Sequence, residues 1–178
     1  MYELYHLILN PDSDEKQELL FTVTLVDDDP LYLEQMKDYL ESMKIHRIEC
    51  FASGEEFLAA VKDSDKRLVV CDFDFGSPNL MNGFGVLDEI RKRDLHFPVI
   101  MLSAQDKLSI AVETLMKGAV DYFFKGMENT FTSVLTSIMK INELQRLKKN
   151  EKDYVTTLIV GSIVSVVIIG MLMYNLYK

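Results

Sequence analysis

The sequence is poor in cysteine: Cys50 and Cys71 are the only two in 178 residues. Two thiols exclude a disulfide scaffold and a cysteine-rich zinc site. Both stand in apolar runs, so both read as buried free thiols in a reducing compartment. Basic residues are also scarce. Over the first 154 residues, 18 Lys and Arg stand against 28 Asp and Glu, a net charge of −10. That balance argues against a broad nucleic-acid-binding surface. The opening Met1-Tyr-Glu-Leu-Tyr-His has neither a basic n-region nor a long apolar stretch, so no signal peptide is expected. Charge is missing altogether between Val155 and Tyr174, a run of 20 residues of which 14 are aliphatic, Met or Tyr. The length itself is a prior for one domain.

What is present is an alternation of short apolar runs with helical periods. Residues 1–20 form an extension whose apolar half ends at Asn10-Pro11-Asp12-Ser13-Asp14. Strands are expected at Phe21–Val26, Ile45–Phe51, Leu68–Cys71, Pro98–Leu102 and Val120–Phe124. Between them, Asp29-Pro30 reads as the cap and first residue of a helix with Tyr32, Leu33, Met36, Tyr39, Leu40 and Met43 on one face. Ser53-Gly-Glu-Glu56 is a capping box ahead of Phe57, Leu58 and Val61. Phe84, Leu87 and Ile90 mark a third helix, and Ala111, Leu115 and Met116 belong to a fourth. A long last helix starts near Glu128. Strands alternating with helices predict a parallel sheet covered on both faces, with right-handed crossovers.

The residues that follow the strands carry complementary chemistry. The first strand ends in Asp27-Asp28-Asp29, the third in Asp72 with Asp74 two residues on, the fourth in Ser103 and the fifth in Lys125. An open α/β sheet binds its ligands outside the carboxyl ends of its strands, so these groups are expected at one mouth. Clustered carboxylates repel one another unless a cation holds them. Mg²⁺ suits such a site, because it takes one or two carboxylates together with waters and phosphate oxygens. A lysine can neutralise a phosphoryl oxygen, a hydroxyl can donate to another, and a carboxylate can be the nucleophile. The assembly reads as phosphoryl transfer to an aspartate. Taken singly, Asp27–Asp29 would be a solvated turn, Ser103 a helix cap and Lys125 a surface lysine; the reading rests on their combination.

These residues resemble the receiver domain of two-component response regulators over Phe21 to about Lys140. Leu-Val-Asp27-Asp28-Asp29-Pro30 looks like the family's acidic pair, and Leu-Val-Val-Cys-Asp72 like its phosphorylated strand end. Asn82-Gly83-Phe-Gly-Val-Leu-Asp-Glu-Ile-Arg91 is similar to its third-helix opening. Pro-Val-Ile-Met-Leu-Ser103-Ala104 resembles the switch hydroxyl with its small neighbour, and Gly118-Ala119-Val-Asp-Tyr122-Phe-Phe-Lys125 the aromatic switch and lysine. The resemblance implies a flavodoxin-like, doubly wound five-stranded parallel sheet of order 2-1-3-4-5 with five helices. It also implies that Asp72 is phosphorylated from a phosphohistidine on a histidine kinase or phosphotransfer protein. By the same resemblance, Asp27, Asp28, Asp72 and the backbone carbonyl of Asp74 would hold Mg²⁺. Ser103 and Lys125 would hold the phosphoryl oxygens, and Tyr122 would change rotamer with Ser103. No small-molecule turnover is expected.

The sequence departs from the family at three places. Gly126 stands where a proline usually follows the lysine, Phe75–Asn82 is longer than the usual link by about three residues, and Asp74 adds a carboxylate. Gln105, two after Ser103, stands at the other position that tunes phosphate lifetime in such domains. Two other readings stand beside the first. One is a receiver-like membrane adapter that is not phosphorylated. The other is a haloacid-dehalogenase-like phosphatase, suggested by Asp72-Phe-Asp74 after an apolar strand; that motif wants Thr or Val where Gly76 stands and its acidic pair downstream.

The remainder of the chain divides into a stalk (141–154), a spanning helix (155–174) and a tail (175–178). Twenty apolar residues suffice to cross a bilayer as a helix. Arg146, Lys148, Lys149 and Lys152 precede the run and Lys178 follows it, which expects the receiver domain on the cytoplasmic side of a tail anchor. The expected output is protein–protein contact at a membrane. Thr157, Gly161 and Ser165 recur every four residues, a spacing that lets helices approach and admits a homodimer; ordinary lipid-facing positions are the simpler reading.

Overall fold

The computed structural model describes the backbone of residues 19–62, 64–76, 81–93 and 95–176, with their side chains except at 161, 164–170 and 172–176. The described elements are β1 (Thr22–Val26), α1 (Pro30–Ser42), β2 (Ile48–Phe51), α2 (Gly54–Ala60), β3 (Arg67–Asp72), α3 (Gly83–Lys92), β4 (Val99–Ser103), α4 (Leu108–Met116), β5 (Asp121–Phe124) and α5 (Thr130–Leu176). The strands form one parallel sheet of order β2-β1-β3-β4-β5, as expected.

The sheet is buried on both faces because its central strands carry apolar runs, Leu68 to Cys71 in β3 and Val99 to Leu102 in β4, and alternation divides these between two cores. Leu25, Val70, Ile100 and Leu102 pack beneath Met36 and Leu40 of α1 and Val134, Leu135 and Ile138 of α5. Val26, Val69, Cys71, Val99 and Met101 pack beneath Phe57 of α2 and Val86, Leu87 and Ile90 of α3. Local signals start the helices. Asp29 caps α1 by accepting from the Leu31 and Tyr32 N–H groups ahead of Pro30. Ser53 Oγ accepts from Glu56 N, while Glu56 reaches back to the Ala52 N–H. Asn82 caps α3 through Gly85 N.

Two expectations need correction. The second strand begins at Ile48, not Ile45: Ile45 is buried, but Lys44 before it takes a positive φ of 64°, so the chain is still turning there. Cys50 is exposed because β2 is the sheet edge, and only Cys71 is buried. On α4, Leu115 and Met116 point outward, 49% and 83% exposed. Thr114 turns inward instead, its hydroxyl donating to the Ile110 carbonyl so that no polar atom is orphaned.

Helix α5 packs on the sheet as far as Asn142, whose side-chain oxygen accepts from Leu20 N at 3.0 Å. Beyond it, Leu144 and Leu147 are more than half exposed. Of the extension at residues 1–20, residues 1–18 lie outside the described residues, while Leu19 is buried in the core. Among the described residues no helix is long and apolar enough to cross a membrane. The span expected over 155–174 runs mostly through positions whose side chains lie outside the described set, Gly161 and Ser165 among them. The expected spanning helix is therefore not a finding of the structure, although the backbone stays helical to Leu176.

Candidate functional site

The parallel register brings the four strand ends to one edge. Asp27 N donates to Phe51 O, Phe73 N to Leu102 O and Lys125 N to Ser103 O, so the ladders continue through the residues that carry the chemistry. Asp72 pairs directly with Leu102, one residue before Ser103. Asp27, Asp72 and Ser103 are buried, with 3%, 5% and 1% of their surface exposed, while Asp28 stands at the rim.

Lys125 joins the acidic strands. Its Nζ donates to Asp27 Oδ2 at 2.6 Å and lies 3.1 Å from Asp72 Oδ2. The remaining oxygens have backbone donors: Asp29 N for Asp27 Oδ1 and Phe73 N for Asp72 Oδ1. Burial pushes the Asp72 carboxyl up, Lys125 pulls it back in part, and the Asp27 charge adds to the rise; the result is a pKa of about 6. Asp27 is raised for the same first reason, with Lys125 opposing. Burial disfavours the Lys125 ammonium, but the hydrogen bond to Asp27 and the charges of Asp72 and Asp27 outweigh it, so its pKa is raised.

Two glycines let the chain close around this edge. A Cβ on Gly83 would stand 2.6 Å from the Asp72 carbonyl oxygen and from Met101 Sδ. Gly76 has a φ of +64° and passes so close that a Cβ would stand 2.9 Å from Asp28 Oδ2. A β-branched residue is disfavoured at that φ, which argues against the dehalogenase-like pattern that wants Thr or Val there.

Asp27, Asp28 and Asp72 each offer an oxygen, and these oxygens lie within 4.8 Å of one another. A crowded carboxylate set with two buried members and one at the rim suits a hard divalent cation. The Asp74 carboxylate lies outside this group and accepts from Gly76 N at 3.3 Å. The hydroxyl side of the site is arranged differently. Ser103 Oγ accepts from Gln105 N at 3.0 Å, and Tyr122 Oη donates to the Gln105 carbonyl at 2.8 Å. Lys125 is thus seated with Gly126 after it, and a Cβ on Gly126 would meet the Phe124 ring.

Tyr32 is a site neighbour that sequence reasoning placed only on the apolar face of α1. The Lys125 ammonium lies 4.5 Å from the centroid of its ring. Periodicity puts Tyr32 inward, but no local signal pairs it with a lysine 93 residues away. At Gln105 it is the backbone that meets Ser103 and Tyr122.

This geometry agrees with the comparisons to known proteins. Residues 23–134 match the family model of the response regulator receiver domain. Similar curated proteins are the "Probable C4-dicarboxylate response regulator DctR" of Bacillus subtilis, 36% identical over 105 residues, and the "Heme response regulator HssR" of Staphylococcus saprophyticus, 35% identical over 107 residues. Those stretches cover 58% and 60% of this chain and 45% and 46% of the relatives, so the chain spans less than half of their length. A CheY-like receiver domain crystal structure from Methanospirillum hungatei superposes with a TM-score of 0.61 at 25% identity, covering 72% of this chain and 98% of that one. With the family model covering well over half of its residues, the chain belongs to the response regulator receiver domain family.

Proposed function

We propose that this chain accepts a phosphoryl group on Asp72 from a phosphohistidine of a histidine kinase or phosphotransfer protein and signals by protein contact at a membrane. One observation carries the proposal: Lys125 bridges buried Asp27 and Asp72 at the strand ends, with Asp28 beside them at the rim. An Asp72 oxygen attacks phosphorus, the phosphorus–nitrogen bond breaks, its electron pair stays on the imidazole, and an acyl phosphate forms. Asp27, Asp28, Asp72 and the Asp74 carbonyl would hold Mg²⁺, which when bound supplies positive charge against the phosphoryl oxygens. Lys125 follows the charge from the Asp72 carboxylate to a phosphoryl oxygen. The Ser103 hydroxyl, which donates to the Gln105 carbonyl at 3.4 Å, turns its hydrogen to another phosphoryl oxygen, and Tyr122 turns with it.

Incubating the protein with acetyl phosphate and Mg²⁺, followed by intact mass measurement, tests this directly. One added phosphoryl group is expected. A protein that stays unlabelled, with no spectral response to beryllofluoride, would favour the unphosphorylated adapter.

The membrane part of the proposal rests on the uncharged run at 155–174 and the bases Arg146, Lys148, Lys149 and Lys152 ahead of it. It is supported by three hydroxyls in that region. Thr156, Thr157 and Ser162 donate to the carbonyls of Lys152, Asp153 and Leu158, so an apolar surround would orphan none of them. The full chain is expected to resist carbonate extraction from membranes; recovery in the soluble fraction would contradict this half alone. The absence of nucleic-acid binding belongs to the same proposal.

A further inference from the structure

Tyr32 combines three observations that packing alone does not require. It sits in the first turn of α1, its N–H fixed to the capping Asp29. Its ring faces the Lys125 ammonium at 4.5 Å, and Phe131 of α5 meets it edge-on at 5.4 Å and 82°. Phe131 is itself braced by Tyr39 at 5.6 Å. The Tyr32 hydroxyl is buried and has no hydrogen-bond partner among the described residues. The contacts therefore use the ring and not the hydroxyl.

Lys125 has two carboxylates competing for it and a flexible four-carbon stem, so the ion pairs do not by themselves hold it in one place. An aromatic face attracts an ammonium over its whole area and is less directional than a carboxylate oxygen. Such a face can hold the ammonium both beside Asp72 and after a shift toward a phosphoryl oxygen. Resting on the phosphorylation reading of Asp72, we propose that Tyr32 is a positioning residue: its ring, braced by Phe131, keeps the Lys125 ammonium at Asp72 through phosphoryl transfer.

The test compares Tyr32→Phe, Tyr32→Leu and Phe131→Leu in the full chain, held in detergent micelles. The acetyl phosphate labelling rate is read by mass, and the Lys125 side-chain proton shifts by lysine-selective NMR. Tyr32→Phe keeps the ring, so the labelling rate and the upfield ring-current shift of Lys125 are expected to persist. Tyr32→Leu should slow labelling about three- to tenfold, the equivalent of one partly exposed cation–π contact, and abolish the shift. Phe131→Leu should fall between them, and it carries the comparison if Tyr32→Leu does not fold. Unchanged labelling in Tyr32→Leu, equal losses in the Phe and Leu variants, or Lys125 shifts that ignore the ring would each overturn the proposal. An unlabelled wild-type protein defeats the phosphorylation reading instead. The Lys125 shifts then decide the placement alone, sustaining it if they depend on the ring and overturning it if they do not.

Discussion

The two halves of the strand-end site are held by different forces. On the β1–β3–β5 side, the Lys125 ammonium lies 2.6 and 3.1 Å from two buried carboxylates. On the β4 side, Ser103 and the Tyr122 hydroxyl each bond to the backbone of the same residue, Gln105. Breaking the first half leaves buried charge uncompensated, whereas breaking the second costs one neutral hydrogen bond at a time. The difference suits a site whose acidic half stays assembled while its hydroxyl half rearranges.

Four stability measurements can break or sharpen this contrast. The largest effect is expected for Lys125→Met, which strands Asp27 and Asp72. Urea unfolding at neutral pH should show a loss of about 3–5 kcal/mol, shrinking as the carboxylates are neutralised toward about pH 4. Asp72→Asn should act in the opposite sense. The folded carboxyl keeps its proton up to about pH 6, against an ordinary value of 3.8. Between those values the native state binds more protons than the unfolded chain, so charged Asp72 opposes folding at higher pH. The variant should therefore be more stable by about 1–3 kcal/mol at pH 7, and the gain should fade through the window from about 6 down to 3.8.

Mg²⁺ should raise the melting temperature of the wild type, by the equivalent of about 1.4 kcal/mol at ten times its Kd. Asp28→Asn should remove most of that shift, because Asp28 is the rim member of the acidic group. The smallest effects belong to the hydroxyl half. Ser103→Ala and Tyr122→Phe should each cost less than about 1.5 kcal/mol in the same unfolding assay. If Ser103→Ala destabilised the protein as much as Lys125→Met, the contrast between the halves would be wrong.

The acidic half was the more legible in the sequence, for a physical reason. Leu-Val-Val-Cys running into Asp72 is an apolar strand ending in a charge, and parallel topology fixes where such ends meet. Lys125 was placed by the same argument. What stayed hidden depends on side-chain direction and distant packing. Leu115 and Met116 mark α4 as a helix but not which face turns inward; Thr114 is the buried residue there, its hydroxyl satisfied by its own helix. The Tyr32 face against Lys125 and the Gln105 backbone acting as both acceptor and donor are set by tertiary contacts, which no local pattern encodes.

The most direct test of the central claim is to label wild type, Asp72→Asn and Asp74→Asn with acetyl phosphate and Mg²⁺, and to locate the modified residue by peptide mass. The account predicts labelling of the wild type and of Asp74→Asn at Asp72, with none in Asp72→Asn. Labelling that survives in Asp72→Asn and disappears in Asp74→Asn would contradict it.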